Sequence, residues 1–279
     1  MEEIKDHSIS GEYFHLNTCQ TCGFVFTQGA PDELTCGRYY QSEDYISHSN
    51  TAKGVIFKLY HLVRNIMLAK KYQLIHDLNA PKRLLDVGSG TGYFLDYMNS
   101  RGYRVEGIEV DDKARSFSKE HFGVDVHSPD YLKEVDMSQK FGYITLWHVL
   151  EHLYEPNDYF HIFHSILSDD GYLVIAVPNK SSFDATYYGT YWAAYDVPRH
   201  LWHFTPETLE KLALNNHFKL LKKKSMPFDP FYNAILSEKY KGSSLGFLRG
   251  MVIGFISFIK GMLNVNKSSS LIYVFIKAT

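Results

Sequence analysis

Cysteine is scarce in this 279-residue sequence, and neither charge is in surplus: there are three thiols, Cys19, Cys22 and Cys36, and 29 Lys and Arg stand against 31 Asp and Glu. An odd trio of cysteines in so long a chain excludes a disulfide framework. The balanced charge excludes the broad cationic footprint of a nucleic-acid binder. The basic run KLLKKK at 219–224 reads as the end of a solvated strand. The opening MEEIKDHSIS is polar and lacks the apolar core of a secretion signal, so residence in the cytoplasm is expected. The longest apolar run, at 245–264, is broken by Arg249 and Lys260, which argues against a full membrane span. What remains is ordinary globular composition, 45% hydrophobic and 22% charged, with 21 Tyr and 19 Phe to fill a core or line an apolar substrate site.

The chain divides into a polar, cysteine-containing stretch at 1–50, a helical lead-in at 51–80 and a large domain at 81–279. The first ends in SEDYISHSNT, a loop or linker by composition. In the second, Val55, Leu59, Leu62, Val63, Ile66, Leu74, Ile75 and Leu78 recur at helical spacing. The third alternates strand and helix signals: KRLLDVG, YFLDYMNSRG, RVEGIEV, DDKARSFSKEHFG, VDVHS, FGYITLWH, NDYFHIFHSILSDDG, YLVIAVP, PETLEKLALNNHF and FKLLKKKSM. Repeated β-α-β units demand a parallel sheet covered on both faces, which makes the fold class α/β and doubly wound. A final strand, SSSLIYVFIKA, follows the apolar run. On a helical wheel that run places Gly246, Gly250, Ser257, Lys260 and Asn264 opposite Leu248, Met251, Val252, Phe255, Ile256, Ile259 and Leu263. Two readings stand for it: a helix at a membrane surface or over an apolar pocket, and a buried helix or dimer interface.

The chemistry concentrates in LLDVGSGTGYFLDYM. Asp86 ends a strand, and Gly88, Gly90 and Gly92 precede a helix, so a ligand can approach the backbone closely. The spacing is G-x-G-x-G rather than the dinucleotide G-x-G-x-x-G. An acid just before the loop repels a pyrophosphate and suits a sulfonium or amine.

These residues resemble the class I S-adenosylmethionine-dependent methyltransferases. LLDVGSGTG is similar to their first motif, GIEVDD to the acid-ended second strand, FGYITLWHVLEHLYEP to the fourth strand and its loop, and GYLVIAVPN to the fifth strand. With DVPRHLWHFTPETL, the closest resemblance is to the small-molecule branch that includes the ubiquinone O-methyltransferases; it covers 82–225. The resemblance implies a Rossmann-like seven-stranded sheet, S-adenosylmethionine as cofactor and a small-molecule acceptor. Asp86 would orient the methionine ammonium through the loop. Gly88, Ser89, Gly90 and Gly92, with Tyr93 beyond them, would pass under methionine and ribose. Glu109 would take both ribose hydroxyls, Val110 would pack on adenine, and Asp130 and Tyr131 would approach adenine after the third strand. Leu146, Trp147 and His148 would face the reactive methyl. Residues 180–205 would form a lid, and an apolar helical insertion at 228–270 would shape the acceptor side.

His148-x-x-Glu151-His152 also spells a zinc-peptidase signature. The strand FGYITLW runs straight into His148 and Pro156 follows closely, so no helix can hold both histidines on one face, and the peptidase reading fails. In a methyltransferase the protein positions the acceptor and, for a hydroxyl, removes its proton. His148, His152 and His203 are therefore the candidate catalytic residues, with His200 beside them. In ubiquinone-type relatives an acidic cluster here holds a divalent metal; His148 occupies the place of a second acid, which argues against magnesium.

Cys19-x-x-Cys22 has the spacing of half a tetrahedral zinc site, which Cys36 and His15 would complete; the other reading is three ordinary reduced thiols and no metal. The segment resembles a small zinc-binding module found ahead of some bacterial methyltransferases, without that module's earlier cysteine pair. The expected activity is methyl transfer to a small molecule, at oxygen, with an acceptor that is lipidic if 245–264 meets a membrane. A sugar C-methyltransferase and a non-catalytic scaffold are the alternatives.

Overall fold

The computed structural model describes residues 2–40, 55–135, 138 and 140–278. The linker expected at 42–51 and the side chains of Val55 and Leu59 lie outside them. After the helix Val55–His76, the chain builds a seven-stranded sheet from β4 (Arg83–Val87), β5 (Arg104–Ile108), β6 (Val126–His127), β7 (Phe141–Trp147), β8 (Leu167–Pro178), β10 (Phe218–Ser225) and β11 (Ser270–Lys277). Their order is β6-β5-β4-β7-β8-β11-β10, with β11 antiparallel to both its neighbours and the other pairs parallel. Strand order turns back between β4 and β7, and the carboxyl ends of the strands on either side of such a point leave a crevice for a ligand.

Strand parity divides the core in two. Leu84, Tyr143 and Val174 point to one face, with Phe94, Leu95 and Met98 of the helix Tyr93–Asn99; Leu85, Ile144 and Ile175 point to the other, with Phe160 and Phe163 of the helix Pro156–Ile166. These strands carry near-continuous apolar runs because helices cover both faces. Each fully buried large side chain contributes about 1.5–3 kcal/mol.

The first forty residues form a second sheet, β1 (Glu2–Lys5), β2 (Tyr13–Thr18) and β3 (Val25–Gln28), antiparallel throughout and completed by β9 (Trp202–His203). Its apolar side, Ile4, Phe14, Leu16 and Val25, shares a core with Trp192, Tyr195 and Val197. The stretch expected to be a lid is therefore a packed wall. Arg199 fastens it: one guanidinium nitrogen donates to Asp196 at 2.6 Å and to Asp6 at 3.1 Å, and another donates to the Tyr39 carbonyl at 2.9 Å. Burial alone would raise the Asp6 carboxyl, but hydrogen bonds from Ser10 and the Arg199 charge hold it down at about 2.

Between β10 and β11 lie the helices Asp229–Tyr240 and Gly246–Leu263. The wheel's two faces are real, and the small-residue face is the one turned inward. A Cβ on Gly250 would lie 2.6 Å from the Ile235 Cα, and one on Gly254 would lie 2.8 Å from the Phe231 Cα, so only glycine permits this approach. Ser257 donates to the buried Asp184 at 2.8 Å. The apolar face is outward, which overturns the buried-helix reading: Phe247 is 65% exposed and Leu263 is 83% exposed.

Candidate functional site

The loop after β4 is tied to the end of β5. The amides of Gly88 and Ser89 donate to the Ile108 carbonyl at 2.8 and 2.9 Å. Gly88 has φ +70°, and a Cβ there would strike the Val149 side chain at 2.3 Å. Gly90, at φ +54°, faces open space. Glu109 closes the loop, accepting from the amides of Gly90 at 2.8 Å, Val110 at 2.8 Å and Asp111 at 3.0 Å. Two carboxylate oxygens offer about four lone-pair sites, so capacity remains for a ligand hydroxyl. Ser89 Oγ and Trp147 Nε1 are buried without a hydrogen-bond partner. The open side of the glycine loop at Gly90 and the spare acceptor position of Glu109 fit the adenosyl donor.

Beneath the loop, Asp86 sits opposite Thr145 in the β4–β7 ladder and accepts from its hydroxyl at 2.5 Å. Burial pushes its carboxyl up to about 7; Thr145 and the charge of Lys71 oppose the shift, and Glu109 adds to it. Lys71 reaches in from the helix Val55–His76, its ammonium 4.2 Å from the Trp147 ring centre. Desolvation lowers it to about 8 against the pull of Asp86 and Asp229.

At the end of β7 His148 takes a left-handed conformation, φ +59°, with its amide on the Ala176 carbonyl. Such strain in a non-glycine residue persists where neighbours hold it. Here two carboxylates do: Nδ1 is 3.3 Å from Glu151 Oε1 and Nε2 is 3.1 Å from Asp229 Oδ2. Burial would lower the imidazole, but the two acids raise it to about 10. His148 is therefore an imidazolium at neutral pH, with both nitrogens engaged, and cannot serve as the free base expected from sequence. His148 in turn holds the buried Glu151 below the usual carboxylate range, against burial.

His152 and His200 stand on the far side of Glu151, their rings edge to face at 4.6 Å. The Nδ1 of His152 lies 3.0 Å from the Arg199 carbonyl and that of His200 lies 2.9 Å from the Ala194 carbonyl. A carbonyl only accepts, so each Nδ1 carries a proton; the Nε2 of His200 lies 3.9 Å from Asp196 Oδ2. Burial and the neighbouring His200 lower His152 to about 4. Glu151 Oε2 is buried and unpartnered. Ligand atoms of Glu151, His152 and His200 lie within 4.8 Å of one another, the only such metal-holding set among the described residues. One carboxylate and two imidazoles oriented by carbonyls fit zinc, manganese or iron better than magnesium, which prefers oxygen ligands. His203 is elsewhere: its Nε2 meets Thr27 Oγ1 at 2.9 Å inside the second sheet, and burial holds it far below its usual value.

Other expectations fare unevenly. Val110, 76% exposed, is free to meet an adenine. The Tyr93 ring lies under the Arg64 guanidinium, 3.8 Å from it. Asp130 pairs with Lys133 in solvent, and Tyr131 donates to Glu106 at 2.6 Å while stacking on His127, so neither is aimed at a ligand. Leu146 is fully buried in the core on the sheet face opposite Trp147 and offers only its backbone. The zinc set does not assemble: Cys19 and Cys22 share a turn, His15 pairs with Gln28 across β2 and β3, and Cys36 turns its thiol to the Glu33 carbonyl at 3.3 Å. Lys71, Thr145 and Asp229 were not foreseen. Thr145 alone had a signal, a lone hydroxyl in an apolar strand.

Residues 60–223 match the family described as methyltransferase domain. The ubiquinone biosynthesis O-methyltransferase of Bradyrhizobium diazoefficiens is 24% identical over 159 residues, 53% of this chain and 63% of that protein. The enzyme of the same name from Glaesserella parasuis is 28% identical over 136 residues, 45% of this chain and 57% of that protein. The chain thus spans about three fifths of the length of these curated relatives. Among solved structures, magnesium protoporphyrin IX methyltransferase from Synechocystis, with bound SAH, aligns at TM-score 0.56 and 13% identity over 88% of this chain and all of that one. An S-adenosylmethionine-dependent methyltransferase from Archaeoglobus fulgidus aligns at 0.53 and 19% identity over 80% of this chain and all of that one. At these identities the structures speak for the fold alone.

Proposed function

The chain belongs to the methyltransferase domain family, and we propose that it transfers the methyl group of S-adenosylmethionine to a hydroxyl oxygen of a small-molecule acceptor. One observation carries this reading: Asp86, one residue short of the end of β4, and Glu109, directly after β5, flank a glycine loop whose Gly90 faces open space. Glu109 keeps one acceptor position for a ribose hydroxyl. Asp86 beneath the loop favours the donor's positive charge, and Lys71 beside Trp147 is the cation available to the donor's carboxylate.

The sulfonium is already a strong electrophile, so the chain's task is to align the acceptor and take up its proton. The acceptor oxygen forms its bond to the methyl carbon as the carbon–sulfur bond breaks. Sulfur leaves with that electron pair as a neutral thioether, and the hydroxyl proton passes to the Nε2 of His200, or to water when a divalent ion occupies that nitrogen. A divalent ion held by Glu151, His152 and His200 would lower the pKa of a hydroxyl bound to it. His148, fixed between Glu151 and Asp229, is a positive wall that keeps both carboxylates ionised.

The test is calorimetric titration of S-adenosylmethionine and S-adenosylhomocysteine into the protein and into Glu109→Ala. The reading expects micromolar binding that weakens at least about tenfold in the variant, about 1.4 kcal/mol. Absence of binding by the intact protein overturns it.

A further inference from the structure

The helix Gly246–Leu263 is long and apolar enough to cross a membrane, yet its inner face is locked to the protein. Gly250 and Gly254 press on the helix Asp229–Tyr240, and Ser257 donates to Asp184, which also accepts from Trp192 at 2.8 Å and Ser269 at 2.6 Å. Withdrawing Ser257 would leave a buried carboxylate short of a donor, so the helix stays flat against the body. Phe247, Leu248, Val252, Phe255, Met262 and Leu263 then project outward together. Eighteen helical residues extend about 27 Å at 1.5 Å each.

Charge identifies what covers this face. Residues 239–267 contain five cations, Lys239, Lys241, Arg249, Lys260 and Lys267, and no acid. All five are exposed. Lys260 and Lys267 line a cleft of about 390 Å³ beside the end of the helix, with Phe183 and Leu263 in its wall. Tyr187, 49% exposed, has its ring centre 5.9 Å from the Lys241 ammonium. A second copy docked face to face would bring the two sets of cations together without a counter-charge. An anionic bilayer supplies hydrocarbon for the apolar face and phosphates for its fringe.

We propose that the helix Gly246–Leu263 lies in the plane of an anionic membrane surface, its phenylalanine- and leucine-bearing face immersed in the headgroup boundary and its lysines on lipid phosphates. The experiment is sedimentation of the full chain with vesicles of phosphatidylcholine, with and without phosphatidylglycerol, using wild type and Val252→Glu/Phe255→Glu. Both substituted positions are exposed, so the variant keeps its fold, which its melting curve and its affinity for S-adenosylmethionine verify. The expected result is binding to the anionic vesicles that falls at least about tenfold in the variant and falls with added salt. Three outcomes overturn the proposal: no sedimentation of wild type with anionic vesicles, equal sedimentation of wild type and variant, or a free-protein mass of two chains that drops to one in the variant. The last would assign the face to a second copy. Sedimentation uses neither donor nor acceptor, so its failure leaves the methyl-transfer reading where it stands.

Discussion

Asp229 reaches His148 from the first turn of the helix Asp229–Tyr240, and the contact of 3.1 Å gives the end of β7 a carboxylate drawn from the segment between β10 and β11. Asp229→Asn removes one of the two acids that raise His148 to about 10. In an NMR titration the wild-type His148 resonance should stay in its protonated position from pH 6 to 8.5, and the variant's should titrate at lower pH. Because the folded value lies above the unfolded one, the stability His148 contributes is fully present below about 6.5 and is lost as pH rises through about 10. A wild-type His148 that titrates near 6.5 would contradict the clamp.

Gly88 and Gly90 should separate packing from ligand access. Gly88→Ala forces a Cβ against Val149 at φ +70°, so overpacking of about 1–3 kcal/mol adds to the backbone strain of about 1–2 kcal/mol that any side chain meets there. Gly90→Ala meets open space, so its loss should be confined to about 1–2 kcal/mol of backbone strain, while donor affinity falls because the methyl group occupies the ligand's side of the loop. Thermal melts and calorimetry on the same samples decide; equal melting losses in the two variants would contradict the assignment.

Donor affinity should follow a bell in pH. Asp86, raised to about 7, becomes an anion above that pH and then favours the cationic donor. Lys71, lowered to about 8, loses its charge above that value and weakens its hold on the carboxylate. The optimum therefore falls between about 7 and 8. Lys71→Met should remove the descending limb and move the ascending one to higher pH, since the Lys71 charge holds Asp86 down. Calorimetry from pH 6 to 9 reads both limbs, and a flat profile would count against this account.

Cobalt(II), visible by its absorption bands, probes the Glu151–His152–His200 set. One ion per chain is expected, with bands lost in His200→Ala and undisturbed by excess magnesium, because the donors are mainly imidazole. Retention of the bands in the variant would place the ion elsewhere.

Asp86, Glu109 and the glycine loop were legible because strand end, turn and helix start adjoin in the chain, so local pattern carries their geometry. Lys71 and Asp229 arrive from elements that meet β7 only in three dimensions, and no local pattern marks them. Leu146 was misplaced for a different reason. Parity shows that it and Trp147 point opposite ways, but which face holds the ligand depends on strand order. The second sheet escaped notice because its strands are short and its last member, β9, has only two residues. The wheel separated the faces of the helix Gly246–Leu263 correctly; that its glycines face inward became visible only with Ile235 and Phe231 against them.

The backbone of Leu201 joins the second sheet to the histidine loop: its carbonyl accepts from Thr27 at 2.9 Å, and its amide donates to the Glu151 carbonyl at 2.8 Å. Residues 2–40 therefore leave the ribosome well ahead of their last strand, which lies far downstream at Trp202–His203. Such long-range closure is slow. The wall behind His152 and His200 is accordingly a late event in synthesis, and a nascent chain halted before Trp202 carries the glycine loop and β1 to β3 but not the β9 edge that ties them to its histidines.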